Sequence, residues 1–150
     1  MLAYNCSYER MNPRTILVVE DDPNDENLTL RALRGVNVPC SVVVARSGSD
    51  ALDFLLRRGS FAGRSSADPD VVFLDNTLPG IAGNELVTKI RESEHLRGIP
   101  LVVFSGSSDE NLVARCLSAG ASGFVEKPMD MGDYLSTLRK TAEHWLSATN

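Results

Sequence analysis

Four short stretches carry residues whose chemistry fits together: Glu20-Asp21-Asp22, Asp75-Asn76-Thr77, Ser105-Gly106-Ser107 and Glu126-Lys127-Pro128. Carboxylates brought side by side repel. Two unit charges ~4 Å apart at an effective dielectric of ~20 interact by about 4 kcal/mol. Such a cluster takes up a cation or protons. A hard, all-oxygen donor set with few protein ligands suits Mg²⁺, which keeps some waters and leaves room for a phosphate oxygen. No His or Cys stands near these stretches, which argues against zinc. Lys127 supplies a mobile point charge suited to a phosphoryl group. The Ser105 hydroxyl can donate to a phosphate oxygen, and Asp75 can act as a nucleophile that becomes an aspartyl phosphate. Metal and lysine together would neutralise charge spread over the transferred group. Taken singly, each residue has a plainer reading. Glu20 and Asp21 are solvated acids, Asp22 caps a helix, Ser105 caps a turn, and Lys127-Pro128 is a turn with an exposed lysine. The case rests on the set.

Bringing these stretches together requires elements that end at one edge. Five apolar runs punctuate the chain: Thr15 to Val19, Ser41 to Ala45, Asp70 to Leu74, Leu101 to Phe104 and Ser122 to Val125. Most are β-branched or aromatic and nearly continuous, the pattern of strands buried on both faces. Segments of helical length separate them, with faces carried by Leu28, Ala32 and Leu33; by Ala51, Leu52 and Leu55; by Leu86, Val87 and Ile90; by Leu112, Val113 and Cys116; and by Leu135, Leu138, Ala142, Trp145 and Leu146. Asp22-Pro23 reads as an N-cap followed by proline at the first helical position. Ser107 with Glu110 fits a capping box. Ser47 and Asp130 are further caps, and Gly35, Gly59 and Gly120 sit where C-terminal glycines belong. Alternating strands and helices give an α/β fold, a doubly wound parallel sheet of five strands with five helices. Sites on such sheets form beyond the carboxyl ends of the strands, and each of the four chemical stretches follows a strand.

The rest of the composition bounds the problem. A chain of 150 residues suits one domain. Residues 1–13 read as a flexible tail and 14–147 as the domain, with no output domain. The Gly-, Ser- and Ala-rich stretch from Gly59 to Pro69 reads as a mobile surface loop. A net charge of −5 makes a general grip on nucleic acid or anionic lipid unfavourable. No apolar run approaches the ~20 residues of a membrane span. Three widely spaced cysteines, Cys6, Cys40 and Cys116, give no disulfide framework and point to a reducing, cytoplasmic setting. His95 and His144 have no partner at metal-ligand spacing and read as surface residues.

Taken in order, Glu20-Asp21, Asp75, Ser105 and Lys127-Pro128, with their spacing and flanks, resemble the receiver domain of two-component response regulators over residues 14–147. The resemblance implies strand order 2-1-3-4-5 and phosphorylation of Asp75 by a sensor histidine kinase. It implies that Asp21 and Asp75 bind Mg²⁺, with Glu20 reaching it through water and Thr77 through its backbone carbonyl. Ser105 and Lys127 would contact the phosphate, and Ser105 and Phe124 would form the switch pair. The Lys127-Pro128 peptide would be cis. The opening Ile16 to Asp25, then Leu28 to Leu33, with His144-Trp145-Leu146 near the end, narrows the resemblance to stand-alone receivers paired with phytochromes. Asn76-Thr77 departs from the family's usual pair after the acceptor, and serine replaces the commoner threonine at 105. Thr77 and Ser107 occupy positions that tune dephosphorylation in the family.

The reading that follows is a phosphorylation switch that acts on no external substrate. It would alter a surface formed by the fourth helix, fifth strand and fifth helix and form a homodimer there, with Leu117, Trp145 and Leu146 as exposed apolar contacts. Nucleic acid and membrane are not among its expected partners. The alternative is a receiver-like scaffold that is never phosphorylated, which full retention of the acids, hydroxyl and lysine disfavours. A dehalogenase-type phosphatase would need a second aspartate where Thr77 stands. A flavin-binding sheet would need a phosphate loop where Glu20-Asp21-Asp22 would repel the ligand.

Overall fold

The structure is a computed structural model that describes residues 3–5 and 14–148. Its strands are β1 (Ala3–Asn5), β2 (Arg14–Val19), β3 (Cys40–Ala45), β4 (Val71–Asp75), β5 (Thr77–Leu78), β6 (Ile81–Ala82), β7 (Leu101–Ser105) and β8 (Gly123–Glu126). Its helices are α1 (Pro23–Leu33), α2 (Gly48–Leu56), α3 (Gly83–Arg91), α4 (Glu110–Ala119) and α5 (Met131–Ala148). The main sheet runs β1-β3-β2-β4-β7-β8. Its five long strands are mutually parallel, in the 2-1-3-4-5 order expected. One addition was not foreseen. Ala3–Asn5, assigned from sequence to a flexible tail, pairs antiparallel with β3 and makes a sixth strand. The rest of that tail lies outside the described residues.

The apolar runs are continuous because each strand is covered on both faces. Alternate residues point to opposite sides. Leu17, Val19, Val72, Leu74, Leu101 and Val103 meet residues of α2, α3 and α4, including Leu55, Leu86, Ile90 and Cys116. Ile16, Val18, Val71, Phe73, Val102 and Phe104 meet residues of α1 and α5, including Leu30, Leu33, Leu138 and Leu146. Cys40 and Cys116 are buried in these layers.

Most helix ends follow local chemistry. Asp22 caps α1 by accepting from the Asn24 and Asp25 amides at 2.7 and 3.2 Å. Ser47 caps α2, Asp130 accepts the Asp133 amide, and Gly120 closes α4 at φ 115°. Three expectations change. The cap of α4 is Asp109, not Ser107, whose hydroxyl instead accepts the Asp109 amide. The carboxylate stands one residue before the helix and reaches two of its free amides. Helix α1 ends on Arg34 in the right-handed region, so Gly35 is not its cap residue. Helix α2 ends on Arg57, a left-handed cap residue (φ 52°) two positions before Gly59, which also has positive φ (59°).

Arg57 accepts that strain within a dense set of bonds. Its guanidinium donates to the Ser66 carbonyl at 3.0 Å and to Asp68 at 3.2 Å. Arg64 lies 4.1 Å over the Phe54 ring and donates to the carbonyls of Phe54, Ser66 and Ala67 and to Asp68. The stretch from Gly59 to Pro69 is therefore a surface connection laced down by two arginines, in contrast to the mobile loop its composition suggests.

Candidate phosphoacceptor and metal site

Each site residue is delivered by the end of a strand. Strand β2 runs directly into Glu20, and the Glu20 amide still pairs with the Ala45 carbonyl at 3.0 Å. Asp75 is the last residue of β4, held beside Phe104 of β7 by the Asn76 amide. Ser105 ends β7, and its carbonyl accepts the Lys127 amide at 2.7 Å, which carries Lys127 past β8 toward the centre of the edge. All peptide bonds among the described residues are trans, Lys127-Pro128 included, which corrects the cis expectation. The X-Pro bond prefers trans by about 0.5–1 kcal/mol, and the trans form already brings Lys127 to Asp75.

Oxygens of Glu20, Asp21 and Asp75 lie within 4.8 Å of one another. Glu20 and Asp75 are 3% and 5% exposed, and Asp21 is the most open of the three. Lys127 Nζ stands 3.3 Å from Asp75 Oδ1, 3.3 Å from Glu20 Oε1 and 3.0 Å from Asp25 Oδ2. The Thr77 amide donates to Asp75 Oδ1 at 3.1 Å, and its hydroxyl stands 3.2 and 3.3 Å from the two carboxylate oxygens. Thr77 owes this place to the small β5–β6 hairpin, whose turn is Pro79-Gly80 with Gly80 at φ 78°. Proline then positive-φ glycine is the type II turn preference. Next to it, Asn76 Oδ1 is buried without a partner, and a Cβ on Gly83 would meet that oxygen at 2.6 Å.

Ser105 is buried, and its hydroxyl accepts the Ser107 amide at 3.2 Å. Phe124 of β8 pairs in register with Val103, two residues before Ser105, so both side chains occupy the α4 side of the sheet. Phe124 is half-buried and packs on the core beneath α4. Six of the seven residues singled out from sequence therefore stand along the carboxyl edge of β2, β4, β7 and β8, and the seventh, Phe124, lies within β8 two residues before its end. Asp25 was missed. It sits in the first turn of α1, and its one legible signal is an acid at a helix N-terminus, which by itself reads as a dipole effect. Of the expected exposed contacts, Leu117 is exposed, Trp145 is half-buried and Leu146 is buried at 1%. Trp145 lies against Gly123 of the edge strand, while Leu146 is the residue that turns into the α1–α5 layer. Met129 and Met131 are exposed instead.

The charges explain the protonation of the site. Burial, a proton shared with Asp75 and the Asp75 charge push the Glu20 carboxyl up to about 8, against the pull of Lys127 and the Asp22 amide. Burial alone would raise Asp75 too, but the Glu20 hydrogen bond, the Lys127 charge and the Thr77 amide together hold it below the usual carboxylate range. Burial opposes the Lys127 charge, yet Tyr134, Asp75, Glu20 and Asp25 outweigh it and keep its pKa above the ordinary lysine value. Of the two buried acids, the surroundings therefore favour the neutral form of Glu20 and the charged form of Asp75.

A stability test follows. The folded state keeps the Glu20 proton up to about 8, whereas the unfolded chain releases it near 4.5. This contribution is complete below the lower value and drains away as pH rises to the upper one. Asp75 acts oppositely, but its window lies below 3.8, where acid removes its contribution. Denaturant melts in EDTA between about pH 5 and about pH 9 should show stability falling toward pH 8, and Glu20→Gln should flatten that fall. Identical slopes for the two proteins would remove Glu20 as the proton carrier.

The donor set fits a hard divalent cation. It is all oxygen, it is over-supplied with negative charge, and it keeps an open side at Asp21. No helix among the described residues is long and apolar enough to cross a membrane. Comparison with known proteins agrees with the geometry. A family model described as the response regulator receiver domain matches residues 16–139. The chain is similar to the probable methanogenesis regulatory protein FilR2 of Methanothrix harundinacea, 34% identical over 92% of this chain and 87% of that one. Its fold is similar to the phosphorylated cyanobacterial phytochrome response regulator RcpA, with TM-score 0.84, 29% identity and coverage of 91% of this chain and 96% of that one. It is also similar to the bacteriophytochrome response regulator AtBRR, with TM-score 0.71, 40% identity and coverage of 86% and 92%.

Proposed function

The chain belongs to the response regulator receiver family, and on that premise we propose that it is a phosphorylation switch loaded at Asp75 by a sensor histidine kinase of the phytochrome type. The observation that carries the reading is the meeting of three carboxylates within 4.8 Å with an ammonium 3.3 Å from the acceptor. RcpA and AtBRR, both phytochrome response regulators, support the choice of partner.

An Asp75 carboxylate oxygen attacks the phosphorus of a phosphohistidine. The Asp75 O–P bond forms as the P–N bond breaks; the leaving nitrogen keeps the electron pair, and the imidazole departs neutral if its other ring nitrogen carries a proton, or takes up a proton at the leaving nitrogen if it does not. The Thr77 amide, which already donates to Asp75 Oδ1, orients the carboxylate so that one oxygen faces the donor. Lys127, 3.3 Å from that carboxylate, donates to the transferred oxygens, and Ser105 supplies a hydroxyl to them from the end of β7. Glu20, Asp21, Asp75 and the Thr77 carbonyl would hold Mg²⁺, which when bound neutralises charge on the phosphoryl group. The protein acts on its own phosphoryl group and on no external substrate.

Drawing Ser105 toward the phosphoryl group opens space beneath α4 for Phe124 to turn inward, which biases two packings of α4 and its leading loop. Leu117 of α4 and Met131 of α5 are exposed, and the altered state pairs with a second copy through the α4–β8–α5 face. The experiment is transfer from an autophosphorylated phytochrome kinase in Mg²⁺. Wild type should gain base-labile phosphate and Asp75→Asn should gain none. Transfer from unrelated histidine kinases at the same rate would refute the phytochrome pairing.

A further inference from the structure

An ammonium carries three N–H donors, and Lys127 Nζ meets three carboxylates: Asp25 Oδ2 at 3.0 Å, Glu20 Oε1 at 3.3 Å and Asp75 Oδ1 at 3.3 Å. Two of these belong to the oxygen cluster that suits a divalent cation, and Asp25 does not. The shortest contact is thus to the acid outside the cluster. Resting on the function just proposed, a cation among the Glu20, Asp21 and Asp75 oxygens competes with the ammonium for two of its three partners and repels it. Asp25 is the partner the lysine can keep. Its side chain is 31% exposed, against 4% and 5% for Glu20 and Asp75, so its charge persists at little desolvation cost. A space of about 10 Å³ is lined among others by Glu20, Asp75, Lys127, Thr29 and Tyr134. That is about the room one water needs.

We propose that Asp25 is a positioning residue, the counter-charge that lets Lys127 and the divalent cation occupy the site together. It touches neither the acceptor nor the transferred group. It acts through the lysine, retaining it beside Asp75 while Glu20 and Asp75 turn their oxygens to the metal.

The test is a double-mutant cycle read by calorimetric titration with Mg²⁺ alone, so that no phosphoryl transfer is involved. Asp25→Asn should bind Mg²⁺ roughly tenfold more weakly than wild type, because the repulsion from Lys127 is no longer offset. Asp25→Glu should recover most of the loss. In a Lys127→Met background the same Asp25→Asn change should shrink to about twofold or less, since the interaction it serves has gone. Wild-type affinity in Asp25→Asn overturns the proposal. Equal losses in both backgrounds overturn it too, since Asp25 would then be only another acid near the cation. Both results leave the reading of the site standing, whereas a wild-type protein that takes up no Mg²⁺ overturns both.

Discussion

Lys127→Ala protein is expected to take up phosphoryl groups from acetyl phosphate roughly a hundredfold more slowly than wild type while still binding Mg²⁺, the size of effect seen when one preorganised donor is removed from a site of developing charge. The ammonium is 3.3 Å from Asp75 on a side chain that is 13% exposed, so water does not easily replace it. Its position is set by the Lys127 amide, bonded to the Ser105 carbonyl at 2.7 Å, and by the three acids around it. Loss of the side chain removes a cation that repels the metal, so Mg²⁺ affinity should hold or rise as the transfer rate falls. That opposite movement separates a role in transfer from general collapse of the site. Circular dichroism in saturating Mg²⁺ checks the fold, and Lys127→Met repeats the test with the apolar stem kept. Equal rates for wild type and both variants would remove Lys127 from the chemistry.

The largest loss of stability from one truncation is expected in the central strand. Leu74 is fully buried, and its backbone lies in register between Val19 of β2 and Val103 of β7. Strands on both sides fix the backbone, and α-helical side chains from Leu86 and Ile90 close the layer above. The hole left by Leu74→Ala therefore cannot collapse, and the cost should be about 3 to 5 kcal/mol, the upper part of the range for such changes. In a domain of this size that lowers the melting temperature by roughly 6 to 20 °C. Urea melts should show the midpoint falling with an unchanged slope. A loss under ~1 kcal/mol would mean that the layer repacks, contrary to the rigid register described.

The elements that a reader of the sequence could find are those whose cause is local or periodic. Val71 to Leu74 reads as a strand buried on both faces because neighbouring residues enter opposite layers and both are apolar. Asp22-Pro23 and Gly120 carry their cap chemistry in their own side chains or backbone freedom. Asp75 and Lys127 are legible as a site because each follows a strand, and parallel strands end on one edge. What escaped reading depends on partners distant in sequence or on backbone alone. Ala3–Asn5 joins the sheet through β3 main chain, with too few residues to show a period. The ties of Arg57 and Arg64 go mostly to carbonyls, which every residue has, so the sequence of Gly59 to Pro69 looks loose. Asp25 meets Lys127 across 102 residues. Leu146 and Trp145 are adjacent in the chain, and which of them turns inward depends on where α5 rests against α1 and β8.

Fragment masses after incubation with acetyl phosphate test the central claim most directly. The account predicts one added phosphoryl group on the peptide containing Asp75, absent when Mg²⁺ is chelated and absent in Asp75→Asn. Modification at any other residue, or equal uptake by Asp75→Asn, would contradict it.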